Sequence, residues 1–145
     1  MDSQLAHTVI PVRNGRFALP TGFKADDGVV VVTAGLPRCL LLFQTAEWMP
    51  IREKLFHVAE MDIKDGERQT KLLIRLVLGF ARECRVNRRG DIGLAPELLQ
   101  FARIGNELQW VPATKGIELW NPSDFSDGKR VDLFAKPQGP ALPET

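Results

Sequence analysis

The sequence predicts an α+β fold in which two tandem β-rich units flank a central pair of helices. The first observation behind this is a recurrence: Gly15-Arg16-Phe17-Ala18-Leu19-Pro20 is echoed by Gly90-Asp91-Ile92-Gly93-Leu94-Ala95-Pro96, the two glycines standing 75 positions apart. A second recurrence lies downstream. Leu40-Leu41-Leu42-Phe43, followed five residues later by Trp48, matches Ile117-Glu118-Leu119-Trp120, followed five residues later by Phe125, with both landmarks displaced by 77 positions. A near-constant displacement across separate landmarks points to an internal duplication, here with one residue of slippage inside the first pair. The third observation is the stretch between the echoes, where apolar residues recur at helical rather than strand spacing.

In the first unit, residues 9–12 read as a strand, Asn14-Gly15 as a tight turn and residues 16–19 as the return strand of a hairpin. Residues 29–33 and 40–43 add two strands, connected through Gly35-Leu36-Pro37. A helix follows. Thr45 is its expected N-cap, Trp48, Ile51, Leu55 and Val58 form its apolar face, and Pro50 belongs near its start, where a missing N–H is tolerable. A second helix is expected from about residue 65 to residue 81, with Leu72, Leu73, Leu76, Val77 and Phe80 as its apolar face.

The second unit restarts as a strand over residues 83–87, turns through Arg88-Arg89-Gly90 and returns along residues 91–94. Pro96 suits the first turn of a short helix over 96–102, whose Leu98, Leu99 and Phe101 can cover the sheet. Strands over 108–111 and 117–120 complete it. The organisation is therefore 1–81 for the first repeat with the helical pair, 82–135 for the second repeat, and a tail over 136–145. With three prolines and one glycine, that tail is expected to be disordered.

Composition bounds the function. A chain of 145 residues with 44% hydrophobic content suits one domain or two closely paired half-domains. The strongest apolar runs, 28–32 and 39–43, are strand-sized, well short of the roughly 20 residues that cross a bilayer. The N-terminus shows neither the basic flank nor the apolar segment of a secretory signal, so a cytoplasmic chain is expected. Cys39 and Cys84 have no CxxC partner and read as free thiols.

Catalysis finds no motif. His57 lies on an amphipathic helix without an acid or nucleophile at recognisable spacing, and His7 lies near the chain start. Asp62, Asp65 and Glu67 read as helix-capping acids. There is no glycine-rich phosphate loop or metal signature, so a non-enzyme without cofactor or metal is expected. Trp48, Trp110 and Trp120 sit in apolar patterns and read as core. With no Tyr in the chain, a stacking platform for single strands is not expected.

The net charge is only +1, so the distribution of charge matters more than its sum. Arg82, Arg85, Arg88 and Arg89 fall within eight positions, and Arg13 and Arg16 bracket the first glycine turn. Basic groups therefore gather where both repeats begin.

The residues that carry these features resemble a known family. A hairpin-plus-strand unit that begins at a Gly-Arg turn and ends in Pro is similar to the AbrB-like swapped-hairpin module. Two in tandem around a helical pair resemble the MraZ family. The match is carried by Gly15-Arg16 to Pro20, Leu40-Leu41-Leu42-Phe43 through Trp48, Gly79-Phe80-Ala81-Arg82-Glu83-Cys84, Gly90 to Pro96, and Ile117-Glu118-Leu119-Trp120. The resemblance implies two swapped-hairpin units in a pseudo-twofold, barrel-like domain. It also implies a cytoplasmic, nucleoid-associated transcription regulator of the bacterial division and cell-wall gene cluster, in which ring-shaped homo-oligomers present hairpin tips to double-stranded promoter DNA.

The DNA-contact set implied for this chain is Arg13, Asn14, Gly15 and Arg16 at the first turn, with Arg88 and Arg89 at the second. The family tip motif is Asp-x-Lys-Gly-Arg. Here Val12 and Asn14 stand at the Asp and Lys positions of the first repeat, while Asn87 and Asp91 stand at the Asp and Arg positions of the second. Chemically, a glycine turn can project an arginine, whose guanidinium grips phosphate or pairs bidentately with guanine.

Three alternatives stay open at this stage. Arg88 and Arg89 suit intersubunit salt bridges as well as phosphate contact. Asp91 suits a turn or an intersubunit acceptor. The whole chain suits a ring-forming interaction scaffold that has lost specific DNA recognition.

Overall fold

Two runs of this chain, Val29–Gly35 and Cys39–Gln44, have no polar face, so a sheet that contains them must be covered on both sides. The computed structural model, which describes residues 8–20, 22–23, 25, 27–60 and 68–125, shows how. In chain order the elements are β1 (Thr8–Pro11), β2 (Arg16–Ala18), β3 (Val29–Gly35), β4 (Cys39–Gln44), α1 (Thr45–Glu60), α2 (Arg68–Phe80), β5 (Arg82–Arg85), β6 (Asp91–Gly93), α3 (Pro96–Ala102), β7 (Glu107–Pro112) and β8 (Ile117–Trp120). The architecture is α+β. A six-stranded sheet runs β1-β7-β8-β4-β3-β5, and β2 and β6 form a separate two-stranded ribbon. Every one of these pairings is antiparallel.

Period-two alternation along β3 and β4 divides the interior into two layers. Val30, Val32, Leu40 and Leu42 enter a cluster with Phe17 and Ile92 of the ribbon, Leu98 and Ala102 of α3, and Trp110. Val31, Leu41 and Phe43 enter the other, with Trp48 and Ile51 of α1, Val77 of α2, and Trp120. The large sheet is thus sandwiched between the helical pair and the ribbon with α3. All three tryptophans are buried, as their apolar settings predict. Trp48 stacks on Phe43 at 5.5 Å, and Trp110 meets Phe17 edge-on at 5.6 Å. The indole N–H of Trp120 donates to Glu118 Oε1 at 2.9 Å, which lets a polar ring edge sit in the core.

Several expectations need correction. The first turn does not close a hairpin of β1 with β2, because its arms meet only at a bridge between Arg13 and Arg16. β1 pairs instead with β7, from Thr8 opposite Trp110 to Pro11 opposite Glu107. The Val12 N–H donates to the Asn106 carbonyl at 2.9 Å, which draws the first arm away and leaves β2 to pair with β6. The same exchange occurs in the second unit, where β5 pairs with β3 rather than with β6. Burial supplies the physical reason. Phe17 and Ile92 are the single buried residues of their three-residue strands, and facing each other across the ribbon puts both into one cluster.

Thr45 is not an N-cap acceptor. β4 runs directly into α1, and the Thr45 hydroxyl donates to the Val29 carbonyl at 3.3 Å, tying the helix start to β3. Pro50 is the sixth residue of α1 and is exposed. On α2, Leu72 is 57% exposed and the buried residues are Ile74 and Val77. Of the expected face, Val77 is buried and Leu73 and Phe80 pack against the core clusters, so Leu72 is the member that turns outward, and Ile74 is added to the buried side. The Thr33 hydroxyl, buried in β3, donates to the Val77 carbonyl and ties this part of the helix to the sheet. Residues 61–67 and 126–145, and with them Asp62, Asp65, Glu67 and the proline-bearing tail, lie outside the described residues, as does His7.

One turn locks the sheet to the helices. Gly116, between β7 and β8, has φ +74°, and its N–H donates to Glu47 Oε2 of α1 at 3.1 Å. A Cβ there would lie 2.5 Å from the Leu42 carbonyl oxygen and 2.7 Å from a Phe43 ring carbon. Gly116→Ala is expected to lower stability by about 2–5 kcal/mol, combining left-handed strain with overpacking. Denaturant titration at fixed protein concentration checks this: the midpoint should fall with little change in slope, and a midpoint at the wild-type value contradicts the account.

Candidate nucleic-acid interface

The candidate residues sit at the two ends of the β2–β6 ribbon. Its register is Arg16 opposite Gly93, Phe17 opposite Ile92, and Ala18 opposite Asp91. Because side chains alternate, Phe17 and Ile92 point into the core while Arg16, Ala18, Asp91 and Gly93 form the outward face. Each end is closed by a bond to the opposite turn. The Leu94 N–H donates to the Gly15 carbonyl at 2.9 Å, and the Leu19 N–H donates to the Gly90 carbonyl at 3.0 Å. Leu19 and Leu94 stand 75 positions apart, as Gly15 and Gly90 do, so the two bonds are reciprocal.

At the first end, Asn14 and Gly15 have φ +54° and +73°, and Arg13 and Arg16 exchange both backbone hydrogen bonds at 2.9 Å. This is the two-residue reversal that Asn-Gly favours. Residues that exchange both bonds stand directly opposite each other, so Arg13 and Arg16 project from the same face. Both are exposed. Below them, Leu99 of α3 supports the turn, with its Cδ1 3.2 Å from where a Cβ on Gly15 would lie.

The second end is built differently. The Asn87 N–H donates to the Asp91 carbonyl at 2.9 Å, closing a three-residue loop of Arg88, Arg89 and Gly90, with Gly90 at φ +85°. The Asn87 side chain holds this loop, its Oδ1 accepting from the backbone N–H groups of Arg89 and Asp91 at 2.9 Å each. Arg88 and Arg89 are exposed, and Asp91 is half-buried on the outward face opposite Ala18.

The structure therefore brings Arg13, Asn14, Gly15 and Arg16 together and leaves Arg88 and Arg89 at the far end of the ribbon. Arg82 is not part of either tip. Its guanidinium donates to the Gly79 and Ala81 carbonyls at 3.1 and 2.9 Å, where it caps the end of α2. Two residues gain roles that sequence reasoning did not assign, Asn87 as the brace of the second loop and Gly93 as the neighbour of Arg16. An asparagine before a glycine turn and a glycine inside a short strand were the available signals.

Elsewhere, Cys39 and Cys84 are buried thiols, and burial pushes the Cys84 thiol up from its ordinary pKa. Among the described residues, no three His, Cys, Asp or Glu side chains group as a metal site would require. No described helix is long and apolar enough to cross a membrane.

Comparison with known proteins gives the family. The chain is 31% identical over 136 residues to the transcriptional regulator MraZ of a Marinomonas species, an alignment covering 90% of this chain and 86% of the relative. It is also 31% identical over 133 residues to that of Actinobacillus pleuropneumoniae, covering 87% of this chain and 84% of the relative. The chain belongs to the MraZ family. A MraZ of Thermomicrobium roseum agrees, at 32% identity over 129 residues, covering 88% of this chain and 85% of its own length. No family model matches the chain.

If Asn87 braces the second loop, Asn87→Ala should lower stability by about 1 kcal/mol, by loss of the side-chain oxygen that accepts from two backbone N–H groups. Amide hydrogen exchange at Arg89 and Asp91 should accelerate, while exchange in β3 and β4 stays slow. Unchanged protection at Arg89 and Asp91 would remove this role from Asn87.

Proposed function

We propose that this chain is a DNA-binding transcriptional regulator that grips double-stranded promoter DNA through the Asn14-Gly15 turn at the first end of the β2–β6 ribbon. The observation that carries the reading is the placement of Arg13 and Arg16, directly opposite each other on one exposed face. Two guanidiniums so placed can hold phosphate oxygens, or one phosphate and a guanine edge. Asn14 and Gly15 contribute by making the turn narrow. Arg88 and Arg89 flank the second tip and add long-range attraction for the duplex.

In this reading the chain comprises two AbrB-like swapped-hairpin units, 1–81 with the helical pair and 82–135, arranged as a pseudo-twofold, barrel-like domain. The reciprocal Leu19–Gly90 and Leu94–Gly15 bonds support it, because each unit completes the other's ribbon end. Identical chains assemble into a ring, which multiplies weak single-tip contacts through avidity. The protein acts in the cytoplasm at the nucleoid, on the promoter of the division and cell-wall gene cluster, and performs no catalysis.

A second reading has its own observation. Asp91 stands on the outward face of the ribbon, where a carboxylate repels phosphate, and this favours an assembly scaffold without specific DNA recognition. Binding to the chain's own upstream promoter duplex and to a scrambled duplex, at low and physiological salt and with oligomer mass recorded on the same sample, separates the two. Selective binding by an oligomer supports the regulator. An oligomer indifferent to both duplexes supports the scaffold.

Under the regulator reading, Arg16→Ala weakens duplex binding without changing assembly, and the log–log salt dependence becomes shallower by about one unit for each lost phosphate contact. An affinity that is unchanged across the salt series removes Arg16 from the interface. Asp91→Arg is expected to tighten binding by relieving the repulsion. If it breaks the oligomer instead, Asp91 belongs to a subunit contact.

A further inference from the structure

Gly93 stands opposite Arg16 across the ribbon. A Cβ built on it would lie 2.9 Å from Arg16 Nη1, 3.4 Å from its Cγ and 3.6 Å from its Cζ. The Arg16 side chain thus occupies the space that a residue at position 93 would fill. Backbone conformation does not demand a glycine there, since Gly93 is not among the glycines with positive φ. A glycine inside a strand also weakens it, through lost packing and chain entropy. What the missing side chain does provide is a bed for the arginine.

We propose that Gly93 is a positioning residue for DNA recognition: having no side chain, it lets Arg16 lie across β6, so that Arg16 and Arg13 meet the duplex as a preset pair of guanidiniums. This rests on the reading of the first tip as the DNA contact. An arginine held along the ribbon before binding loses less rotamer freedom when it meets its ligand than one swinging in solvent. Gly93 also separates that pair from Asp91, its neighbour two residues back on the same face of β6. The outward face therefore runs from two cations at one end to a carboxylate at the other, with no side chain of β6 between them.

Gly93→Ala tests this, because the atom that would meet the new methyl most closely is the far end of the Arg16 side chain rather than backbone. Affinity for the promoter duplex is measured for the wild-type oligomer, Gly93→Ala, Arg16→Ala and the double variant, with mass and thermal midpoint recorded alongside. The expected result is an unchanged assembly and midpoint, with affinity reduced on the order of fivefold or more, the lower range for losing a bidentate contact. In the Arg16→Ala background, Gly93→Ala should add no further loss.

Affinity unchanged by Gly93→Ala where Arg16→Ala weakens binding overturns the positioning role alone, as does an equal loss in both backgrounds. Absence of duplex binding by the wild-type oligomer overturns the DNA reading beneath it. Should Gly93→Ala lower the midpoint, relaxation of the Arg16 side-chain Nε in the wild-type protein decides instead. Order close to that of the backbone supports the proposal, and free picosecond-to-nanosecond rotation overturns it.

Discussion

Burial of β3 and β4 on both faces is the constraint from which the other placements follow. A strand pair with no polar side cannot lie at a surface, so something must cover each face. The helical pair covers one face, through Trp48, Ile51 and Val77, and the β2–β6 ribbon with α3 covers the other, through Phe17, Ile92 and Leu98. The ribbon is too short to be stable alone, with three residues in each strand. It is held by its buried pair Phe17 and Ile92, and this anchors both basic turns to the least exposed part of the molecule.

That anchoring fixes the ribbon's other face as well. A short ribbon with a fixed inner face has an equally fixed outer face, because successive side chains alternate. Arg16 is outward because Phe17 is inward, and Arg13 follows Arg16 through the two-residue turn. Charge on the outer face is therefore set by core packing rather than by loop flexibility. At the other end the same alternation makes Asp91 outward because Ile92 is inward. Arginine near one end of the ribbon and aspartate near the other, both on its outer face, give the ribbon an electrostatic direction.

Local features were legible from residue order. The short helix Pro96–Ala102 and the strand Ile117–Trp120 lie where their patterns put them, since a proline start and an unbroken apolar run are local signals. The Asn14-Gly15 reversal was equally readable, because only residues that tolerate positive φ suit it. The candidate site was legible as a set of arginines near two glycines. Its grouping was not, since Arg82 belongs to the end of α2 and Arg13 pairs with Arg16 only through turn geometry. Leu72 and Ile74 show the same limit on α2, where three- and four-residue spacing placed Leu73, Val77 and Phe80 on the packed face but could not tell that Leu72 lies outside it and Ile74 within it.

By itself, the sequence determined the class of fold, the helix and strand periods, the two glycine turns and the arginines beside them, all of which depend on residues close together in the chain. Tertiary structure alone decided which strands pair, that Arg16 lies over Gly93, and that Asn87 braces the second loop while Asp91 faces outward. Strands of three residues carry too little pattern to name a partner. Their pairing is chosen by which arrangement buries Phe17 and Ile92 together, and that is a property of the whole core.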